Sequence, residues 1–280
     1  MGLIASARAS RVFFSGRNEK KAKELIEKLS KEYPKTEFVF IKCDQADLTS
    51  VQEAAKTFLA QSDQLDVLMC NAGIMALPPN TTKDGYESEF GTNHIGHALL
   101  IKLLLPVMEK TAAKPGSDVR IVNLSSHAYH QAPKVGIEFE TLKSDQANLG
   151  ALIPGNKWSR YGQSKLANLL YAKALAKHYP NITSVAIHPG FIKTDLFQNI
   201  GFVSRLQVQT LVLFSQTWTP VEEGPYNQTW AATTAKSNLE SGAYYTPIAV
   251  KTQPTTAQAQ DEKLAERLWD WTQEELAAYS

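Results

Sequence analysis

The chain has 280 residues, of which 43% are hydrophobic and 20% are charged, and its formal net charge is +1. This length suits one sizeable α/β domain, and the near-neutral charge gives no reason to expect a nucleic-acid partner or a membrane surface. Both cysteines, Cys43 and Cys70, lie in apolar segments and are interpreted as buried thiols of a reducing compartment, so we expect a cytoplasmic protein. We recognise no signal peptide, and apolar runs such as Leu211 to Phe214 are too short to cross a bilayer.

Short β-branched runs alternate with segments of helical period along the chain. This alternation predicts a parallel sheet covered by helices. The predicted strands are Arg11 to Phe14, Phe38 to Lys42, Leu65 to Cys70, Val119 to Leu124, Thr183 to His188 and Gly242 to Tyr245.

The predicted helices follow the spacing of apolar residues at steps of three and four. Ser50 and Glu53 form a capping-box pattern that should open one of these helices, which runs toward Phe58. The others are predicted at Asn18 to Tyr33, Asn93 to Met108, Ser159 to His178 and Asp261 to Ala278.

Tyr161 and Lys165 stand four residues apart on one face of a predicted helix. Such a pair is weak evidence alone, because it arises often by chance. Here four other polar motifs accompany it, each at the carboxyl end of a predicted strand or at an adjoining helix start, where open parallel sheets bind ligands. They are Asn71-Ala-Gly73, Asn93 in Gly91-Thr-Asn-His-Ile-Gly-His97, Asn123-Leu-Ser125-Ser126, and His188-Pro-Gly-Phe-Ile-Lys-Thr194.

These ordered motifs resemble the short-chain dehydrogenase/reductase family, in particular its retinol-dehydrogenase-like and WW-domain-oxidoreductase-like branch. The resemblance covers about residues 10 to 200 and, more loosely, the remainder. It implies a Rossmann-like, doubly wound parallel sheet in three α/β/α layers, formed by one domain over residues 1–280. It also implies an NADP(H)-dependent oxidoreductase that interconverts an alcohol and a ketone or aldehyde.

The resemblance assigns catalytic roles to Ser126, Tyr161, Lys165 and Asn93. Tyr161 would exchange a proton with the substrate oxygen, and Lys165 would make the ionised phenol accessible and bind the nicotinamide ribose. Ser126 would hydrogen-bond the substrate oxygen, while Ser125 is interpreted as a residue that bonds the backbone at the strand end. Asn93 resembles the asparagine that holds a water next to the lysine, although it could merely cap or kink its helix.

The resemblance also implies cofactor contacts at strand ends. Arg17 suits a ribose 2′-phosphate, which makes NADP the expected cofactor and NAD the less favoured one. Asp44 matches an acidic residue that contacts adenine, whereas Asp47 is interpreted as a helix-entry residue. The remaining implied contacts are Asn71 and Gly73 near the adenine ribose, and Ile192 and Thr194 near the carboxamide and phosphates.

We expect no metal site, because the histidines lack acidic or cysteine partners at metal-ligand spacing. We interpret these histidines as structural. They are His94, His97, His127 and His130.

The sequence departs from the family pattern at its start. The family begins with a strand and a Thr-Gly-x-x-x-Gly-x-Gly loop that holds the pyrophosphate, whereas Met1 to Arg8 align with the helix that follows that loop. Gly2 is therefore not a loop glycine, and the first strand is missing. Either a truncated active enzyme or a degenerate family member would fit, and the intact catalytic set favours truncation.

Residues 191–220 are irregular and apolar, in the region that the family uses as a substrate lid. A lid of this kind suggests a bulky apolar substrate, while a homodimer contact or ordinary core is the competing interpretation. A cofactor-poor binding or scaffold protein is the main alternative function. An epimerase or dehydratase is disfavoured by the motif spacing and the short carboxyl-terminal portion.

Overall fold

The computed structural model describes residues 1–6, 9–149, 157–192 and 220–279. Within these ranges all six predicted strands are present, and the observed ends lie within two residues of the predicted ones. A short further strand, β7, was not predicted. The strands are β1 (Arg11–Gly16), β2 (Glu37–Lys42), β3 (Val67–Cys70), β4 (Arg120–Leu124), β5 (Thr183–Ile187), β6 (Tyr244–Thr246) and β7 (Val250–Lys251).

The helices alternate with these strands, as the sequence predicts. A π-helical turn, Gly91–Ile95, joins two of them, and a 3₁₀ turn, His127–Gln131, follows β4. The α-helices are α1 (Gly2–Ser6), α2 (Glu19–Glu32), α3 (Leu48–Leu59), α4 (Ser88–Phe90), α5 (Gly96–Ala112), α6 (Lys157–His178), α7 (Tyr226–Thr233), α8 (Ala257–Gln260) and α9 (Glu262–Glu275).

The strands of the described residues form two separate sheets. β1 and β2 pair in parallel, and the five-stranded sheet has the order β3-β4-β5-β6-β7, parallel except for its last pair. The predicted strands at Arg11 and Leu65 could either pair with each other or keep open edges. Among the described residues both keep an open edge, because β1 pairs only with β2 and β3 only with β4.

Apolar residues on both faces of the larger sheet place it between two layers of helices. One face joins a core that includes residues of α3, α5, α6 and α9. On the other face Val122 and Val185 pack with Ala231 of α7. Every residue of β4 and β5 is buried, as expected for strands covered on both sides. The three-layer α/β/α fold class is thus confirmed.

The start of α3 differs from the predicted capping box. The helix begins at Leu48, and the Asp47 carboxylate accepts hydrogen bonds from the amides of Thr49 and Ser50. The Ser50 hydroxyl instead accepts a bond from the Asp44 amide. Ser50 therefore does not open the helix, because Asp47 occupies the capping position three residues earlier. The interpretation of Asp47 as a helix-entry residue is confirmed.

Helix α1 includes Gly2, which agrees with the prediction that this glycine is not part of a phosphate-binding loop. The Gly2 backbone lies against the Tyr33 ring at the end of α2. Ile4 packs on the small core that Val12, Leu29 and Phe38 form between α2 and the two-stranded sheet. Across the described part of the chain, no helix has the length and hydropathy that crossing a membrane requires.

Candidate active site

The predicted site residues lie on loops at the carboxyl ends of β3 and β4 and on the helix α6. Asn71 and Gly73 follow β3, and Ser125 and Ser126 follow β4. Tyr161 and Lys165 project from the first half of α6. Because parallel strands end at one edge of their sheet, these segments meet there.

Lys165 and Tyr161 are adjacent and almost fully buried, with 5% and 7% of their surfaces exposed. The Lys165 Nζ atom lies 5.6 Å from the centroid of the Tyr161 ring and donates a hydrogen bond of 3.0 Å to the Leu124 carbonyl oxygen. Burial lowers the pKa of Lys165 to about 8, and the charge of Glu89 opposes this shift. The ammonium group is therefore held beside the phenol ring, with a pKa below the ordinary value for lysine.

Ser126 contacts Tyr161 through its side chain. Burial raises the pKa of Tyr161, whereas a hydrogen bond with the Ser126 side chain acts in the opposite direction. The Ser126 oxygen also accepts a bond of 3.2 Å from the Ala128 amide, which fixes it at the start of the 3₁₀ turn. The neighbouring Ser125 donates a bond of 2.7 Å to the Lys165 carbonyl oxygen, so its interpretation as a backbone-bonding residue is confirmed.

Gly162 allows the close approach that brings Tyr161 to Ser126. A Cβ atom at this position would lie 2.6 Å from the Ala128 carbonyl oxygen and 2.7 Å from the Ala132 nitrogen. Both atoms are backbone, so they could not move aside easily. Glycine inside a helix costs about 1 kcal/mol relative to alanine, and here that cost is offset by contact between α6 and the segment that carries Ser126.

Asn93 lies in the π-helical turn and is completely buried. Its side chain bonds both main-chain groups of Ile74, at 2.8 and 2.9 Å, and donates a bond of 2.9 Å to the Ser164 hydroxyl. The main-chain carbonyl oxygen of Asn93 lies 3.0 Å from the Nδ1 atom of His97. Asn93 therefore belongs to an irregular turn and also links the loop after β3 to α6.

Gly73 lies directly against this polar group. A Cβ atom on Gly73 would lie 3.0 Å from the Asn93 Oδ1 atom and 3.5 Å from the Lys165 Nζ atom. The absence of a side chain thus keeps the approach to Lys165 open. Asn71 is exposed two residues earlier in the same loop. The structure brings Gly73, Asn93 and Lys165 together, as the sequence motifs suggest.

Arg17 and Asp44 are also neighbours, one after β1 and the other after β2. Their closest charged atoms are 4.0 Å apart, and 76% of the Arg17 side chain and 41% of the Asp44 side chain are exposed. Asp44 accepts a hydrogen bond from the Ala46 amide at 3.0 Å, which fixes its carboxylate. The guanidinium remains available to an anion from solvent.

The segment after β5 is described only in part. Ile192 is half-buried and lies against Gly224, where a Cβ atom would come within 2.7 Å of its side chain. Residues 193–219 lie outside the described residues, and they include Thr194 and nearly all of the predicted lid.

Apolar side chains surround the Tyr161 ring. Met75 and Ala76 pack with it, and Trp158 contacts it edge to face with centroids 6.2 Å apart. Phe191 packs on the same group and lies near the rings of His127 and His188. A substrate oxygen that reaches Ser126 and Tyr161 would therefore enter a predominantly apolar environment.

Ser164 and Asn168 on α6 support the site and were not predicted from the sequence. Ser164 bonds Asn93, and Asn168 donates a bond of 2.9 Å to the Leu124 carbonyl oxygen that also accepts from Lys165. The helical spacing offers a signal for Asn168, which lies three residues after Lys165 on the same face.

The histidines interpreted as structural have protein partners. The His94 Nε2 atom lies 3.1 Å from the Thr272 hydroxyl, and burial lowers the pKa values of both His94 and His97, to about 3 and about 4. Over the ranges that the structure describes, no three His, Cys, Asp or Glu side chains are placed to hold a metal ion.

A parallel sheet between helices, with a buried Tyr–Lys pair and a half-buried serine at its carboxyl edge, defines a Rossmann-type oxidoreductase. The family model described as short chain dehydrogenase matches residues 4–143. The chain belongs to this family, and the resemblance to its retinol-dehydrogenase-like branch is confirmed by the curated relatives.

Several curated relatives match almost the whole chain. A short-chain dehydrogenase/reductase of Aspergillus calidoustus is 35% identical, over 95% of this chain and 86% of the relative. Retinol dehydrogenase 12 of Mus musculus is 32% identical, over 94% and 77%. Polyprenol dehydrogenase of Homo sapiens is 31% identical, over 92% and 75%. The oxidoreductase class predicted from the motifs is thus confirmed.

Solved structures show the same fold. An NADPH-bound carbonyl reductase from chicken fatty liver has a TM-score of 0.56 and 26% identity, covering 85% of each chain. A gluconate 5-dehydrogenase from Burkholderia cenocepacia, in complex with NADP and tartrate, has a TM-score of 0.63 and 18% identity, covering 88% of each chain.

Proposed function

We propose that the protein is an NADP(H)-dependent oxidoreductase that interconverts a bulky apolar alcohol with its ketone or aldehyde. The observation that carries this proposal is the placement of the half-buried Ser126 beside Tyr161, which in turn lies next to the buried Lys165. The NADPH-bound carbonyl reductase among the similar structures supports the cofactor.

The residues around Lys165 fit a nicotinamide nucleotide on one side of the site. Gly73 leaves the approach to the Lys165 ammonium free of a side chain, and Asn71 is exposed beside it. Arg17 offers an exposed guanidinium that suits a ribose 2′-phosphate, and Asp44 lies next to it for the adenine. Ile192 and Thr194 are assigned to the carboxamide end by the family motif alone.

In this proposal the bound cofactor supplies or accepts the hydride. In the reductive direction, Tyr161 gives its phenolic proton to the substrate oxygen, so the O–H bond of tyrosine breaks as that of the alcohol forms. The Lys165 ammonium stabilises the resulting phenolate electrostatically, and the Ser126 hydroxyl holds the substrate oxygen in place. Because burial raises the pKa of Tyr161, the charge on Lys165 matters for proton release.

Arg17→Ala should reduce the preference for NADPH over NADH. A charge-assisted hydrogen bond to the 2′-phosphate contributes about 1.5–3 kcal/mol, and the exposure of Arg17 places its effect at the lower end. Dissociation constants for both coenzymes, measured by nicotinamide fluorescence, would test this. Equal affinities in the unmutated protein would contradict the role of Arg17. Arg11→Ala, at the opposite end of β1, serves as a control.

A panel of ketones graded by size and polarity should show a preference for bulky apolar substrates. The Tyr161 ring is lined by Met75, Trp158 and Phe191, so apolar surface would be buried when a large substrate binds. The readout is kcat/KM for each ketone. A preference for small hydrophilic ketones would be incompatible with this substrate class.

A binding or scaffold protein is the second candidate. It is favoured by the outer edges of β1 and β3, which have no strand partner among the described residues. Titration with NADPH separates the two candidates, because the oxidoreductase must bind the coenzyme tightly and a scaffold protein need not.

The free, buried thiols of Cys43 and Cys70 are compatible with the expected cytoplasmic location, although two relatives of Brassica napus are named as chloroplastic. A small-molecule substrate is the main proposed partner, and a homodimer stays a prediction that sedimentation would test.

A further inference from the structure

A buried group of three ionisable side chains lies behind the proposed active site. Glu87, Glu89 and Arg160 are each 0% exposed. The Arg160 Nε atom lies 3.5 Å from a Glu87 carboxylate oxygen. Glu87 also accepts bonds from the amides of Glu89 and Phe90, at 3.1 and 2.7 Å, so it caps α4. Capping this helix explains why Glu87 is buried. It does not explain why the second carboxyl group, that of Glu89, is buried as well.

Glu89 and Arg160 hold the same residue of the loop after β3. The Leu77 amide donates a bond of 3.2 Å to the Glu89 Oε1 atom, and Arg160 donates a bond of 2.8 Å to the Leu77 carbonyl oxygen. The preceding residue, Ala76, has a φ of +51°, which lies in the left-handed region that alanine rarely adopts. The two side chains thus hold the loop where its backbone conformation is unfavourable.

This loop forms part of the proposed site. Met75 and Ala76 pack against Tyr161, and Asn93 holds Ile74 at both main-chain groups. Glu89 and Asn93 are four residues apart in one helical segment. That segment therefore fixes the loop at two points, one on either side of the residues that contact the Tyr161 ring.

Glu89 is also within electrostatic reach of the catalytic pair. Burial, and the nearby charge of Glu87, raise the pKa of Glu89 to about 8, while bonds to the backbone and the charge of Arg160 act in the opposite direction. When ionised, Glu89 raises the pKa values of both Tyr161 and Lys165. Its Oε2 atom is buried and has no hydrogen-bond partner among the described residues.

We propose that Glu89 is a positioning residue of this site, which holds the Leu77 backbone in place beneath Tyr161 and puts a buried carboxyl group within electrostatic reach of Tyr161 and Lys165. The inference rests on the proposed function. The charged and titratable groups that face Glu89 are Glu87 on its own helix and Arg160, Tyr161 and Lys165 on α6. The residues of the loop, Gly73 to Leu77, carry no charge.

The first test is the pH dependence of stability in Glu89→Gln, which needs no substrate or cofactor. The pKa of Glu89 is higher in the folded chain, about 8, than its ordinary value of 4.5, so folding favours the protonated form. The stability due to the neutral acid is complete below pH 4.5 and is lost as the pH rises toward 8. Glutamine resembles the neutral acid at every pH. The melting temperature of Glu89→Gln minus that of the parent should therefore increase as the pH rises from 4.5 to 8. Outside this range the difference should be constant.

The second test measures coenzyme affinity against pH. Lys165 loses its charge near pH 8, so NADPH should bind more weakly as the pH rises through that value. Removing the Glu89 charge lowers the pKa of Lys165, and in Glu89→Gln the weakening should begin about half a pH unit lower or more. The profile of kcat/KM with a ketone should shift in the same direction. Glu27→Gln, an exposed substitution on α2, should leave both profiles unchanged.

The third test concerns the bond to Leu77. Glutamine keeps an acceptor oxygen, whereas Glu89→Leu removes it, so exchange of the Leu77 amide should be about fivefold faster in the leucine variant only.

Each test has an outcome that contradicts one part of the proposal. A difference in melting temperature that is constant with pH would contradict the raised pKa of the buried Glu89 carboxyl group. An unshifted NADPH profile would overturn its influence on Lys165. If the parent binds no NADPH, the proposed function fails, and the melting and exchange results still decide whether Glu89 holds the loop.

Discussion

Tyr161→Phe should abolish turnover and leave NADPH affinity nearly unchanged. Phenylalanine keeps the ring that packs with Met75, Ala76 and Trp158 but has no proton to give. A positioned general acid contributes about 10²–10⁴-fold to the rate, so the variant should lose at least that factor. The measurements are steady-state oxidation of NADPH with a ketone, and coenzyme titration by fluorescence.

Lys165→Ala should lose both turnover and coenzyme affinity. The ammonium group is the one positive charge in contact with the Tyr161 ring among the described residues, and it borders the opening beside Gly73. The matched control for Tyr161→Phe is Tyr171→Phe, because Tyr171 is another buried tyrosine of α6 and its hydroxyl accepts a hydrogen bond of 3.3 Å from Gln273. Substantial turnover by Tyr161→Phe would rule out Tyr161 as the proton donor.

The elements that carry the site were predictable because their signals are local. β4 and β5 are apolar runs buried on both faces, and the four-residue spacing of Tyr161 and Lys165 places both on one side of α6. The carboxyl-edge rule for parallel sheets then brings Ser126 and Gly73 to the same place. Each step depends on periodicity or on strand direction, and neither needs knowledge of distant contacts.

The supporting residues depend on contacts that no local pattern reveals. Glu89 is 12 residues from Leu77, and the function of its carboxyl group is evident only when the loop after β3 folds over it. Gly162 looks unfavourable within a helix until the Ala128 carbonyl oxygen is seen beneath it. The capping of α3 was mispredicted for a related reason, since several residues at its start could accept the same amides.

A version of the chain with a strand and a Thr-Gly-x-x-x-Gly-x-Gly loop added ahead of α1 should be more soluble than the 280-residue chain. In the described residues the outer edges of β1 and β3 have no strand partner, although both are parallel strands with backbone donors and acceptors. Unpaired edges favour association with other chains, and buried unpaired backbone groups cost stability. A strand that hydrogen-bonds both edges would join the two sheets into one.

The same extension should strengthen NADPH binding. Backbone N–H groups of a glycine-rich loop and the start of the following helix form an anion site for the pyrophosphate, which the residues around Lys165 and Arg17 do not supply. Each charge-assisted hydrogen bond contributes about 1.5–3 kcal/mol, which corresponds to about ten- to hundredfold in affinity. The two versions would be expressed side by side and titrated with NADPH.

A third version, with the added strand but with alanine at the three loop glycines, separates the two effects. It should recover solubility because the strand still pairs with β1 and β3, but it should bind NADPH no better than the 280-residue chain, since Cβ atoms keep the pyrophosphate away from the backbone. If the 280-residue chain is itself soluble, unfolds cooperatively and binds NADPH at micromolar concentrations, the open edges are tolerated. Arg17, Gly73 and Lys165 would then be sufficient to hold the coenzyme without a glycine loop.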